Sequence, residues 1–453
     1  MAGWRRTGLV VVLVLAAGAG QWHDSAVAAG ETADLLVEGK WVPTPVTTLA
    51  DLRDFRPAAE VELSRYGGWK ARQVEATGFF RTQRVDGRWW LVDPEGYLFL
   101  SVGLCSVDRK GVESTPVVAD RIFGGRENWA SMTATLLRTL GFNSLGCWSD
   151  AEPFRALAQP MPYFPRWNFM STYKNQRDPR DGPRGYPNQC MPVFDAAFRS
   201  FCLRHAEQLA ATKDDPYLVG HFSDNELPFR PDLLKLYLQL PDTDSGHQAA
   251  RRWLTQFRQE HKIATEAEVS ETEQAGFLEH AAHEYYSIVN QAIKTYDPNH
   301  LYVGSRIHGR TIIEPVFRGA QDVDVVSINY YHRWSPETER LAHWVEWSGR
   351  PFLDSEWYAM ELPDPKLEVQ GAGFRVRTQR DRGLFYQNMV IGLLGEPGCV
   401  GWHWFKYGGD SDTHSVGFVD RQYQPHTEMH EVMQAVNRQV YPLADFLSRK
   451  GQE

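Results

Sequence analysis

Short apolar runs alternate along the chain with longer stretches of helical spacing. Tyr97 to Leu104 (YLFLSVGL) is bounded by Gly96 and reads as a strand. Arg126 to Leu140 follows with helical spacing, and Phe142 to Trp148 (FNSLGCW) is again strand-like. Tyr163 to Trp167 is a weaker third strand, Val193 to Thr212 an amphipathic helix, and Tyr217 to Phe222 (YLVGHF) a fourth strand. Phe277, Ala281, Tyr285, Ile288, Ala292 and Ile293 then recur at three- and four-residue steps, which marks one apolar helix face. Leu301 to Ile307, Val323 to Tyr330, Pro351 to Ser355 and Cys399 to Phe405 complete eight strand candidates. Helical patterns at 336–347 and 378–394 lie between the later ones, and another at 427–446 closes the chain. Strands separated by helices predict parallel pairing with right-handed crossovers. Eight such units predict an α/β fold of the (β/α)8 TIM-barrel kind. No GxGxxG follows the first strand, so a dinucleotide-binding sheet is the weaker alternative.

Gly78 to Pro94 reads as a β-hairpin turning at Asp86-Gly87, placed to cap the barrel floor. The expected division is residues 1–28 as a secretion signal, 29–75 as a short N-terminal arm, and 76–450 as the catalytic barrel. The signal reading rests on Arg5 and Arg6, the apolar run from Gly8 to Gly20 and the small-x-small site Ala26-Val27-Ala28. It implies a secreted or periplasmic protein with no membrane attachment after cleavage; an uncleaved anchor is the alternative.

Composition narrows the chemistry. Among 453 residues, 48 Lys and Arg face 57 Asp and Glu, a net charge of −9, with 42% hydrophobic residues. That composition suits a globular protein with a full core and excludes disordered and fibrous classes. It opposes a nucleic-acid partner, whose phosphates need a basic surface. The aromatic content is 13%, with 16 Trp, enough both to build a core and to stack on sugar rings. Five cysteines leave at least one unpaired, and none has zinc spacing.

In a barrel the site gathers at the C-terminal ends of the strands. The fourth strand runs into Ser223-Asp224-Asn225-Glu226 and the seventh into Asp354-Ser355-Glu356-Trp357. Glu226 and Glu356 therefore face each other across one mouth. Retaining cleavage of a glycosidic bond needs such a pair about 5–5.5 Å apart, one as proton donor and one as nucleophile. A surface or salt-bridged residue is the plain alternative for either glutamate alone. Asn225 suits a donor to a sugar 2-hydroxyl. Ser327, Asn329 and Tyr331 share one side of the sixth strand, where the Tyr331 phenol can keep a carboxylate ionised; an ordinary rim aromatic is its alternative. Trp402 and Trp404 share a side of the eighth strand, and Trp404 is the expected floor for a sugar, against a purely structural tryptophan. Arg306 and His308 end the fifth strand, either reaching ligand hydroxyls or holding the glutamates. The alternation points His332 away from the barrel centre unless the strand has already ended.

Neither a metal nor another cofactor is expected. His426 and His430 stand four apart but lack the Glu of HExxH, so they read as a solvated helix face. Asp242-Thr243-Asp244 lacks the rest of a calcium loop. The long stretch from Leu227 to Ser270 is read as a helical insertion, either a wall of the cleft or decoration.

The run GAGFRVRTQRDRGLFYQNMVIGLLGEPGCVGWHWFKY at 371–407 resembles the β-agarases of glycoside hydrolase family 50. So do DGRWWLVDPEG before the first strand, GFNSLG on the second and the Asn225-Glu226 pair. The resemblance implies a retaining clan-A barrel with Glu226 as acid/base and Glu356 as nucleophile, and it matches Tyr331 and the eighth-strand tryptophan to supporting positions. It implies a polysaccharide or oligosaccharide partner, with agarose or neoagaro-oligosaccharides first. Agarases of that family often carry a large N-terminal carbohydrate-binding β domain, for which no room is expected here. The strand-seven motif is DSEWY where Gly-Glu-Phe or similar is expected. Two alternatives stay open: a β-glycosidase for a different galactose-containing or plant-type glycan, and a barrel that binds polysaccharide without cleaving it.

Overall fold

The computed structural model describes residues 30–110 and 116–450. The signal segment at 1–28 lies outside them. The fold is mixed α/β. Its central ladder is a six-stranded parallel sheet in the order Ile307–His308, Val326–Asn329, Phe352–Trp357, Cys399–Trp404, Ser101–Leu104, Ser144–Leu145. Helices Arg126–Thr139, Ala196–Ala206, Glu271–Tyr296, Thr338–Ser348 and Gln379–Gly395 alternate with these strands, as the periodicity predicts.

The remaining strand candidates do not join this ladder in one continuous eight-stranded sheet. Gly220–His221 pairs in parallel with Leu301–Tyr302 as a separate two-stranded sheet. The expected third strand contributes isolated bridges, Tyr163 to Leu145 and Leu218, and Arg166 to Phe222. The fifth candidate is broken. Its start pairs with Gly220–His221 and its end with Val326–Asn329, and between them Gly304 (φ +77°) and Arg306 (φ +59°) are left-handed. That kink splits the pairing that a regular strand keeps continuous, and it turns Arg306 out of ordinary strand alternation.

Alternation along the strands sorts the core into two layers. Val219, Val303, Val325, Leu353 and Val400 pack together with Leu91, Phe99 and Phe164 on one side of the strands. Their neighbours Leu218, Tyr302, Val326, Phe352 and Cys399 belong to the larger cluster that includes the helices. Both sides being apolar, these strands read as continuous hydrophobic runs. All five cysteines are buried free thiols.

The hairpin at 81–92 pairs Arg81–Val85 with Arg88–Val92 and turns at Asp86 (φ +50°) and Gly87 (φ +82°), as its sequence predicts. The buried Arg88 guanidinium donates to the Leu394 and Cys399 carbonyls, which fastens the hairpin beside the N-terminal end of the Cys399–Trp404 strand. Residues 32–45 form a second hairpin. Its first strand pairs with Phe374–Val376, which pairs in turn with Ala359–Glu361 just beyond Glu356. The N-terminal segment thus packs against the chain leaving the Phe352–Trp357 strand.

His426 and His430 are not a solvated face. His426 pairs with Asp410 at 2.8 Å, and the buried His430 ring donates from Nε2 to the Phe418 carbonyl at 2.9 Å. Burial pushes His430 down from an ordinary 6.5 to about 3. Below pH 6.5 the unfolded chain takes up a proton that the folded chain refuses, so the stability linked to this group is present above 6.5 and is lost as pH falls toward 3. That loss is about 1.4 kcal/mol per pH unit. Denaturant unfolding of wild type and His430→Gln between pH 6.5 and 4.5 is expected to show their stability difference moving in the variant's favour by that slope. Parallel pH profiles contradict it.

Candidate active site

Two strand ends carry the acid pair. After Gly220–His221 the chain is held by Ser223 N to the Gly304 carbonyl at 2.9 Å and Glu226 N to the Ser305 carbonyl at 3.1 Å. Between them, buried Asp224 accepts the Met170 and Ser171 N–H groups at the start of helix Phe169–Gln176, and the Tyr285 hydroxyl at 2.7 Å. Burial pushes its carboxyl up, while these donors favour its charge. Glu226 itself is left-handed (φ +54°), a conformation that costs of order 1 kcal/mol outside glycine. The ladder on one side and Asp224 on the other hold it there.

Glu356 stands near the end of Phe352–Trp357, with its side chain 12% exposed. Fully buried Arg306 donates Nη2 to its Oε2 at 2.5 Å and also to the Ser355 carbonyl at 3.0 Å. The Tyr331 hydroxyl donates to Oε1 at 2.9 Å. Burial first, and then the Glu356 charge, push the Tyr331 phenol well above its usual range, so it remains a protonated donor. Glu226 is held differently. Its side chain is 32% exposed, its Oε1 accepts from Asn329 Nδ2 at 2.9 Å, and His308 Nε2 stands 3.9 Å from Oε2. Asn329 is oriented in turn by the Ser355 hydroxyl, which donates to its Oδ1 at 2.8 Å. One carboxylate therefore faces a full positive charge in a desolvated setting, and the other a neutral amide beside solvent. The two carboxylates are therefore supported unequally, one by a buried cation and a phenol, the other by an amide.

Both glutamates open into two cavities that share Glu226, Glu356 and Phe405. One, of about 380 Å³, is lined also by Asp108, Trp148, Asn225 and Lys406. The other, of about 650 Å³, extends past His308, Tyr331, His332 and Tyr358. A third cavity of about 560 Å³, between residues 58–67 and 437–441, contains no such carboxylate pair.

Of the residues singled out from sequence, Glu226, Glu356, Asn225 and Tyr331 meet in this cleft. Asn225 is half-buried, and its Oδ1 has no partner. Arg306 and Asn329 are also here, both fully buried: Arg306 donates to Glu356 through Nη2 while its Nη1 has no partner, and Asn329 donates to Glu226. Trp402 and Trp404 are a correction. Both are fully buried on the helix side, where Trp402 Nε1 donates to the Tyr386 hydroxyl at 2.9 Å and Trp404 packs edge-on to Trp357. Neither offers a face to a sugar. Between them His403 points the other way, over Gly103 and Gly146, where a Cβ on either glycine collides with its ring. The insertion at 227–270 holds helices Leu233–Leu238 and Ser245–His261, and His332, beyond the strand end at Asn329, lines the larger cavity.

The exposed aromatic of the cleft was not among the expected contacts. Trp148, left-handed at φ +71° and 40% exposed, lies under the Arg166 guanidinium at 3.5 Å from the ring centroid. Its position just past the second strand was the available signal, since strand-end residues face the mouth. A buried cluster of His221, Asp297 and His300 has the composition of a metal site. Its donors are already engaged: Trp167 Nε1 occupies His221 Nδ1, leaving Nε2 to donate to Asp297, while His300 bridges Asp297 and the Asp215 carbonyl. A ligating His221 Nε2 needs the lone pair that this arrangement replaces with a proton, so the cluster reads as a hydrogen-bonded clamp.

No family model matches the chain. The curated β-agarase B of Vibrio sp. (strain JT0107) is 24% identical over 496 residues, covering 84% of this chain, and β-agarase A of the same strain is 24% identical over 505 residues. A crystal structure described as BpGH50 superposes with a TM-score of 0.81 at 28% identity, over 92% of this chain and 95% of that one. These likenesses support a β-agarase-like protein of the glycoside hydrolase family 50 kind. The chain spans about half the length of the curated relatives it matches. The agarase AgWH50C shares the fold, with a TM-score of 0.69 at 24% identity, over 86% of this chain and 67% of that one.

Removing the cation beneath Glu356 leaves a carboxylate without its partner. Arg306→Met is expected to lose about 3 kcal/mol in denaturant unfolding, and the double variant with Glu356→Gln to recover most of it. Equal losses in the single and double variants contradict the coupling.

Proposed function

We propose that the chain is a retaining β-galactan hydrolase, agarase-like, acting on agarose or neoagaro-oligosaccharides. The observation that carries this reading is the unequal support of two glutamates opening into one cleft. In the proposed reaction ionised Glu356 attacks the anomeric carbon while Glu226 donates a proton to the leaving oxygen. A glycosyl-enzyme forms on Glu356. Water, deprotonated by Glu226, then releases the sugar and returns both carboxyls to their starting states. Arg306 and Tyr331 position Glu356, Asn329 positions Glu226, Asn225 contacts the sugar, and Trp148 replaces Trp404 as the stacking surface.

The same reading includes a closed (β/α)8 arrangement of the strand segments, supported by parallel pairing across two ladders and by bridges through Tyr163. It also keeps the division at residues 28 and 75 and export through the N-terminal signal. Among the described residues no helix is long and apolar enough to cross a membrane.

The test incubates mature wild type and Glu356→Gln with agarose, neoagaro-oligosaccharides and a panel of other β-galactosides. Wild type is expected to release short oligosaccharides from the agar series. Glu356→Gln is expected to lose turnover by ~10³-fold or more while its circular dichroism and melting stay native-like. Wild-type-like turnover in that variant removes the nucleophile assignment. Cleavage only outside the agar series keeps the mechanism and discards the substrate. A companion substitution, Trp148→Ala, is expected to raise KM several-fold with a smaller effect on kcat, since stacking holds ground and transition states alike; an unchanged KM contradicts the stacking role.

A further inference from the structure

The two arms of the cleft differ in charge, and the difference bears on what the enzyme holds there. The arm lined by Trp148, Asn225 and Lys406 carries one cation against Asp108. The larger arm, beyond Tyr331, carries Arg310, Arg333 and Arg340 with His308 and His332. Its structural counter-charge is Glu337, which pairs with Arg333 at 2.8 Å and with Arg340 at 2.6 Å. Arg310 is exposed and makes no ion pair among the described residues. His308 adds a buried Nδ1 that lacks a partner. This concentration of guanidinium groups sits in a protein whose net charge is −9.

Two ordinary uses for these cations do not absorb them. Glu356 already has its own buried cation in Arg306, and the group near Glu226 is His308, not an arginine. Glu337 can neutralise one of its two arginines and not both. A sugar bearing only hydroxyl groups is matched by neutral donors and acceptors, such as those of Asn225 on the other arm. Guanidinium forks match groups with two or three anionic oxygens, and their positive field draws an anion that the rest of an acidic surface repels.

We propose that this arm binds an anionic galactan unit, one carrying a sulfate half-ester or a carboxylate, beside the bond to be cleaved. The inference rests on the hydrolase reading for its site and extends its substrate range beyond neutral agarose to galactans that carry a charge on one side of the scissile linkage.

The test is a binding measurement, so that it does not depend on turnover. Glu356→Gln is titrated calorimetrically with galactan oligosaccharides of one length in three series: sulfated, uronate-containing and neutral. At 20 mM NaCl one anionic series is expected to bind roughly 10-fold or more tightly than the neutral one, the size of a charge-assisted contact. The series that gains identifies sulfate or carboxylate as the group. The preference is expected to shrink several-fold at 0.5 M NaCl and in an added Arg310→Gln substitution. Anionic binding no tighter than neutral overturns the proposal, whether or not the neutral series binds, as does a preference untouched by salt and by Arg310→Gln. Wild-type turnover of whichever series binds is read separately. Its absence defeats the hydrolase reading and leaves the charge preference standing.

Discussion

A guanidinium buried under the cleft ties its halves together. Arg306 is inaccessible to solvent, and it meets Glu356 and the Ser355 carbonyl from the far side of a kinked segment. Two charges in such a place are costly to desolvate, and the cost is recovered only when each is satisfied by the other and by further hydrogen bonds. The kink at Gly304 and Arg306 belongs to the same arrangement. A regular strand continues its ladder, and this one interrupts it so that Arg306 reaches beneath the Phe352–Trp357 strand. The irregular backbone and the acid pair are parts of one design.

From that pair follows the asymmetry on which chemistry depends. Glu356 has a permanent cation and a neutral phenol on its two oxygens, and Glu226 has an amide on one oxygen and His308 Nε2 at 3.9 Å from the other. Ser355 links the two, because its carbonyl receives Arg306 and its hydroxyl orients Asn329. One serine thus reaches each glutamate through a single intermediary, Arg306 for Glu356 and Asn329 for Glu226. Two residues back on the same strand, buried Asp354 has a carboxyl that burial pushes well above the usual range.

Much of this was legible before any coordinates. The glutamates stand at strand ends, and strand ends follow from apolar runs that stop at polar residues. Tyr331 was reached by counting in twos along the sixth strand. The same counting failed on the eighth. It correctly grouped Trp402 with Trp404, yet a strand apolar on both faces carries no mark of which face meets the helices, and the tryptophans lie on that side. Arg306 and Asn329 were found as polar residues near the mouth, but their burial decides their role, and burial depends on neighbours distant in sequence. His430 reads as surface once HExxH fails, whereas its ring fits over Phe418. The weak third strand and the broken fifth follow from tertiary pairing that overrides local propensity.

The central claim is that Glu356 and Glu226 divide nucleophile and proton-transfer roles, which fixes the stereochemistry of the product. Proton NMR of the reducing-end anomeric signals, recorded in the first minutes of galactan-oligosaccharide cleavage by the wild-type protein, reads that outcome before mutarotation. The β-anomer appearing first, with retention, is the expected result. The α-anomer appearing first means direct attack by water, and it contradicts the assignment of Glu356.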